Sequence, residues 1–227
     1  MSVIIVPYRN RPEHLDCFLK CIPDFQAHIT DLTKIIIVEQ ENDGLGFNRG
    51  MLKNIGFLLS GATGLNRVFF HDIDWLPASA DTIQQYYNFL EKPIVRLLSA
   101  HKATLGGVVQ VSANILEKCN AFPNTIFEWG VEDRVLFYRT QVFEKNIHDV
   151  NILPEQKGFR SLAHKSHGHA YIGDLKRYSN NEHKIHTNGT YDEKITNMMC
   201  NGLSTIAYTV LKTECICEGA VKYTVRV

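Results

Sequence analysis

Val68-Phe69-Phe70-His71-Asp72-Ile73-Asp74-Trp75-Leu76-Pro77 is the stretch around which the chain is organised. Val68 to Phe70 is a short apolar run that predicts a buried strand, and Pro77 stops it. Two carboxylates one residue apart follow. In extended chain, residues i and i+2 point the same way, so Asp72 and Asp74 are expected to face one cleft. Carboxylates that close repel unless a cation or cationic ligand lies between them. A hard divalent metal holding a nucleotide diphosphate meets that need, because carboxylate and phosphate oxygens are its preferred ligands. Capping of the next turn is the plainer use of the same residues.

Outward from this stretch, strands and helices alternate. Val3–Val6 predicts a first strand, left through Pro7-Tyr8-Arg9-Asn10-Arg11-Pro12. Pro12 opens a helix with Leu15, Phe18, Leu19 and Ile22 at helical spacing, ended at Pro23. Lys34–Gln40 predicts a second buried strand, and a helix runs from about Phe47 to Gly61. Strand, helix, strand, helix, strand implies a mostly parallel sheet with helices on both faces, an α/β fold. Ligands of such sheets bind beyond the carboxyl ends of the strands, where Arg9, Arg11, Asp72 and Asp74 fall.

Further on, Ser79–Leu90 predicts a helix, and Gly106-Gly107 leads into a strand at Val108–Val111. Glu132 and Asp133 open another helix, whose dipole favours acids in the first turn. His164, His167 and His169 cluster before a polar stretch, 173–197, expected to be a long lid-like loop. Ile206–Leu211 and Val221–Val227 predict the last strands.

The composition is that of an ordinary globular protein, 44% apolar and 21% charged over 227 residues. Lys+Arg and Asp+Glu number 24 each, so no global basic field marks a nucleic-acid partner. No apolar run of about 18 residues predicts a membrane span, and the start lacks the features of a signal peptide. The six cysteines show no zinc-finger spacing and predict free, mostly buried thiols, hence a cytoplasmic location. One domain over 1–227 is expected, with 1–112 as a nucleotide-sugar half and 113–227 as an acceptor and metal-histidine half.

Six segments occur in order: Pro7–Arg11, Phe47–Phe57, His71–Pro77, Gly106–Val108, Asn120–Asn124 with Trp129–Asp133, and Asn201–Leu203. Together they resemble the β-1,4-galactosyltransferase family, glycosyltransferase family 7. The resemblance implies a GT-A, Rossmann-like glycosyltransferase fold, a UDP-sugar donor, a carbohydrate acceptor, Mn²⁺ and inversion at the anomeric carbon. It implies that Pro7 and Tyr8 lie near the base and that Phe47 stacks on uracil, with Arg49 beside it. Arg9 and Arg11 suit the diphosphate, since guanidinium binds phosphate oxygens in bidentate fashion. Asp72, Ile73 and Gly107 are placed at the donor. Asp74 matches the metal-binding carboxylate, with His167 and His169, or alternatively His164, completing the site.

Inverting transfer needs a carboxylate to take the acceptor proton. Asp133 is the candidate, Glu132 its alternate, and Trp129 and Gly130 would wall the acceptor sugar. Two residues before the glycine pair the family places Tyr, whereas this chain has Thr104. A smaller, hydroxyl-bearing residue there predicts that N-acetylgalactosamine is accepted alongside galactose. Val131 stands where the family carries Gly, and Arg134 where it carries an acid. These departures leave two other readings open: a polysaccharide-type N-acetylgalactosaminyl or glucosaminyl transferase domain, or a nucleotide-sugar-binding module with weak turnover.

Overall fold

A computed structural model describes residues 1–99, 101–128, 131–150, 158–163 and 189–227. An eight-stranded sheet runs through it. In chain order its strands are β1 (Ser2–Tyr8), β2 (Leu32–Gln40), β3 (Arg67–His71), β5 (Ile94–Leu98), β6 (Val108–Ser112), β7 (His148–Asp149), β9 (Thr209–Cys217) and β10 (Ala220–Arg226). The spatial order is β7-β5-β6-β3-β1-β2-β10-β9. β1 pairs in parallel with both β2 and β3, and β10 extends the parallel block beyond β2. β6 and β9 run antiparallel to their neighbours. A short second ribbon pairs β4 (Trp75–Pro77) with β8 (Phe159–Ser161).

β1 shows why the sheet is buried on both faces. Its residues alternate: Val3 and Ile5 join one core, Ile4 and Val6 the other. On the first face, α3 (Arg49–Ser60) lays Leu52 and Ile55 against β1 and β2. A Cβ at Gly56 would run into the Ile5 side chain, so glycine sets how closely α3 seats on the sheet. On the second face, α1 (Pro12–Leu19), α2 (Ile22–His28) and α4 (Ala80–Tyr86) contribute Phe18, Phe25 and Ile83. Pro23 therefore does not end a helix; it lies in the first turn of α2, where a missing N–H costs nothing.

The strand order places β1 between its two parallel successors. The chain steps from β1 to β2 on one side and then crosses back past β1 to β3 on the other, so a crevice opens at the carboxyl ends of β1 and β3. Two further expectations need correction. The second part of the polar stretch is not loop: Tyr191–Met199 forms a helix (α7) behind a capping box of Thr190 and Glu193, and 173–188 lie outside the described residues. All six cysteines are free, but Cys119 alone is buried, while Cys200, Cys215 and Cys217 are exposed.

Candidate active site

The crevice is a cleft of about 330 Å³ lined by Pro7, Arg9, Arg11, Phe47, Arg49, Asp72, Ile73, Asp74 and Glu128. Arg9 and Arg11 come from the loop after β1, and Arg49 from the first turn of α3. Arg11 Nη1 lies 3.3 Å from Asp74 Oδ2. Arg9 donates to the Leu45 carbonyl at 2.6 Å, which ties the β1 loop to the one entering α3. The two carboxylates do not share an extended strand. The backbone turns after β3, with Trp75 N–H donating to Asp72 C=O at 3.2 Å, and both side chains reach the cleft from that turn. Each has its own cation, which removes the repulsion expected of an Asp-x-Asp pair.

Asp72 is held from one turn of α3. Asn48 caps that helix, its side chain accepting the Met51 N–H, and this fixes the direction of the first turn. Arg49 Nη1 then donates to Asp72 Oδ2 at 2.9 Å, and Lys53 Nζ, four residues on, lies 3.0 Å from Oδ1. Burial would raise the Asp72 carboxyl, but the two cations outweigh it and hold it at about 2. The same Arg49 guanidinium grips Glu132 Oε1 through Nε and Nη2. Glu132 is buried in that pair, which ties the start of its helix to α3.

α6 (Glu132–Thr140) brings Asp133 beside Gly106, where any Cβ would overlap Oδ2 of the carboxylate. Asp133 C=O accepts the Leu105 N–H at 3.1 Å, and Oδ1 accepts the Arg134 N–H at 2.7 Å. Burial, then the adjacent Glu132, lifts the Asp133 carboxyl to about 6 against the pull of Arg49 and Lys53. Val131 enters α6 at φ 65°, a conformation that a β-branched residue adopts only under strain. The chain thus keeps the backbone shape glycine would give, without the glycine.

Several expected residues sit elsewhere. Thr104 is buried, and its hydroxyl bonds Ser99 Oγ at 3.0 Å and the His101 carbonyl at 3.0 Å, so it does not present that group to a sugar. Tyr8 packs in the second core instead of lining the cleft. Gly107, at φ 78°, works through its backbone: its carbonyl accepts the Asp72 N–H at 2.9 Å, and a Cβ would lie 2.6 Å from the Leu98 carbonyl oxygen. Trp129, Gly130, His164, His167 and His169 lie outside the described residues. The Asn120–Asn124 and Asn201–Leu203 segments hold one another. Asn124 N–H donates to Asn201 Oδ1 at 2.8 Å, and Ser204 N–H to Asn120 Oδ1 at 2.8 Å. Their role is to fix the loop that leads toward α6.

Lys53, like the cleft-lining Glu128, is a site residue to which the sequence assigns no role. For Lys53, the spacing of four from Arg49 on a helix was the available signal.

Asp74 offers a hard cation suitable oxygens, but among the described residues no group of three His, Cys, Asp or Glu is preassembled for a metal. Among those residues, no helix is long and apolar enough to cross a membrane.

A sequence profile for the N-terminal region of glycosyl transferase group 7 matches residues 1–87. Human β-1,4-galactosyltransferase 6 is 31% identical over 191 residues, which cover 78% of this chain and 48% of the relative. The xylosylprotein 4-β-galactosyltransferase of Caenorhabditis elegans is 26% identical over 144 residues, 60% of this chain and 48% of that protein. The chain spans about half the length of these relatives or less. Among solved structures, a mutant Drosophila β-1,4-galactosyltransferase 7 in complex with manganese, UDP-Gal and xylobiose superposes with a TM-score of 0.67 at 20% identity, over 100% of this chain and 93% of that one. A Pyrobaculum calidifontis mannosyltransferase with GDP-Man and Mn²⁺ gives 0.55 at 15% identity, over 87% and 68%. These two likenesses establish the GT-A fold.

Proposed function

The chain belongs to glycosyltransferase family 7, and from that premise we propose that it is an inverting, divalent-metal-dependent transferase moving galactose from a UDP-sugar to a carbohydrate hydroxyl. One observation carries the reading. Arg9, Arg11, Phe47 and Asp74, from three separate segments, converge in the cleft at the β1 and β3 ends, and the Arg49–Asp72–Glu132 ion pairs tie that cleft to the helix start bearing Asp133.

Arg9 and Arg11 bind the diphosphate, and Phe47 gives the base a face to stack on. Asp74 would hold the divalent cation, with imidazole from His167 and from His169 or His164. Carboxylate, phosphate and imidazole donors suit Mn²⁺, the ion bound in the Drosophila structure. When bound, the ion neutralises charge developing on the leaving diphosphate.

Asp133 takes the proton from the acceptor hydroxyl while its oxygen attacks the anomeric carbon opposite UDP. The new C–O bond forms as the bond to phosphate breaks, UDP leaves with the electron pair, and the linkage is β. A carboxyl lifted to about 6 is mostly ionised at pH 7 yet more basic than an ordinary aspartate, as a general base requires. Trp129 and Gly130 would flank the acceptor. With the Thr104 hydroxyl occupied, nothing at that position favours N-acetylgalactosamine, and galactose is the donor preferred here. An array of UDP-sugars against β-linked oligosaccharide and xyloside acceptors, with linkages determined by NMR, tests this. A β-galactoside product is expected. Products from UDP-N-acetylglucosamine alone would favour the polysaccharide-type alternative.

A further inference from the structure

Lys53 is an ammonium with no exposed surface, on α3. Its Nζ lies over the Phe122 ring at 5.4 Å and 3.0 Å from Asp72 Oδ1. A charge buried with so few partners is expensive, and an apolar side chain of similar volume is often neutral or stabilising in its place. Packing therefore does not account for it. Its geometry does: Arg49 and Lys53, one helical turn apart, take one oxygen each of the same carboxylate, while Arg49 spends its remaining nitrogens on Glu132.

We propose that Lys53 is a positioning residue of the transfer site, the second jaw of a clamp on Asp72 that supplies the cation needed to keep Asp133 available as a base. The inference rests on the transferase reading for the purpose of the base, and on geometry for the clamp. The charges that face Asp133 are Glu132 and Arg134 on its own helix, Arg49 and Lys53 on α3, and Asp72 after β3. Three cations, Arg49, Lys53 and Arg134, thus face three carboxylates, Asp72, Glu132 and an ionised Asp133. Without Lys53 the carboxylates would outnumber the cations by one, and Asp133 would hold its proton to higher pH. Lysine lowers the Asp133 carboxyl in keeping with that count.

The test uses the ligand-free protein, and no turnover is required. The side-chain carboxyl of Asp133, assigned by its disappearance in Asp133→Asn, is titrated by carbon-13 NMR. Wild type is compared with Lys53→Met and with Lys53→Met/Asp72→Asn, which removes one charge of each sign and restores the balance if the single variant folds poorly. The midpoint is expected to rise by about one unit in Lys53→Met and to return toward the wild-type value in the double variant. A midpoint unmoved in Lys53→Met, or equally raised in the double variant, would overturn the proposal. The acid limb of kcat/KM should move with the NMR midpoint. A moved midpoint in a protein that transfers no sugar would leave the clamp standing and refute the transferase reading instead.

Discussion

Gly106 and the carboxylate of Asp133 occupy touching space: a Cβ on the glycine would overlap Oδ2 and come within 3.3 Å of the Asp133 Cβ. The loop entering β6 is thereby shaped around the proposed base. Gly106→Ala should push Asp133 out of place while leaving the β1–β3 cleft intact. Misplacing a reacting group by about 1 Å can cost about 10²-fold in rate. We expect kcat to fall by about that factor, with UDP affinity within about twofold of wild type. Steady-state kinetics beside calorimetric UDP titration checks both.

Asp133→Asn should separate activity from stability. Loss of a general base removes about 10²–10⁴-fold of rate. The folded-state carboxyl sits near 6, above its ordinary value of 3.8, so its stabilising share is fully present below that value and lost as pH rises through 6. At pH 8 the ionised side chain therefore costs stability, and Asn, with no charge to bury, should raise it by about 1–2 kcal/mol. Urea denaturation at pH 5 and pH 8 measures this, and the gain should shrink at the lower pH.

His71 predicts the opposite slope. It is buried among Phe18, Phe25 and Tyr87, with Nε2 accepting the Tyr87 hydroxyl at 2.8 Å and Nδ1–H donating to the Asp72 carbonyl at 3.1 Å. Both bonds suit a neutral ring, and burial takes its pKa down from 6.5 to about 4. The unfolded chain binds the proton more readily, so this contribution is whole above 6.5 and is lost as pH falls toward 4. Wild type should lose up to about 3 kcal/mol across that window. Asp133 protonation partly offsets the loss, so the clean readout is the difference between wild type and His71→Gln. That difference should narrow on acidification.

Val131 at φ 65° stores strain at the start of α6. Such a conformation costs a β-branched residue about 1–3 kcal/mol. Glycine relieves it at an unfolded-state entropy cost of about 0.4–1 kcal/mol. Val131→Gly should therefore stabilise the fold by about 1 kcal/mol, seen as a Tm several degrees higher. A lower Tm would mean that the valine methyls contribute more by packing than the strain costs.

What could be read from the sequence follows the range of the forces involved. β1, β2, β3 and α3 announce themselves through apolar runs and 3.6-residue spacing, and the residues at their ends fall in the cleft because strand ends are fixed by local chain direction. The helix Tyr191–Met199 was legible too, since Thr190-Tyr191-Asp192-Glu193 carries the capping-box pattern, but its polar surroundings suggested loop. Thr104 was not legible. Its orientation depends on how the β5–β6 connection closes, with Arg96 Nε reaching across to the Thr104 carbonyl at 3.0 Å, a contact no local pattern encodes. β5 itself, Ile94–Leu98, is an apolar stretch interrupted by Arg96 that takes strand form through pairing with β6.

The central claim, that the β1–β3 cleft is a metal-assisted UDP-sugar site, is tested most directly without any acceptor. UDP is titrated calorimetrically into wild type and Asp74→Ala, each with Mn²⁺ and with excess EDTA. Wild type should bind UDP with Mn²⁺ at least about tenfold more tightly than in EDTA, a gain of about 1.4 kcal/mol, and Asp74→Ala should lose that difference while staying folded. Equal binding by wild type in Mn²⁺ and EDTA, or no UDP binding in either, would contradict the account.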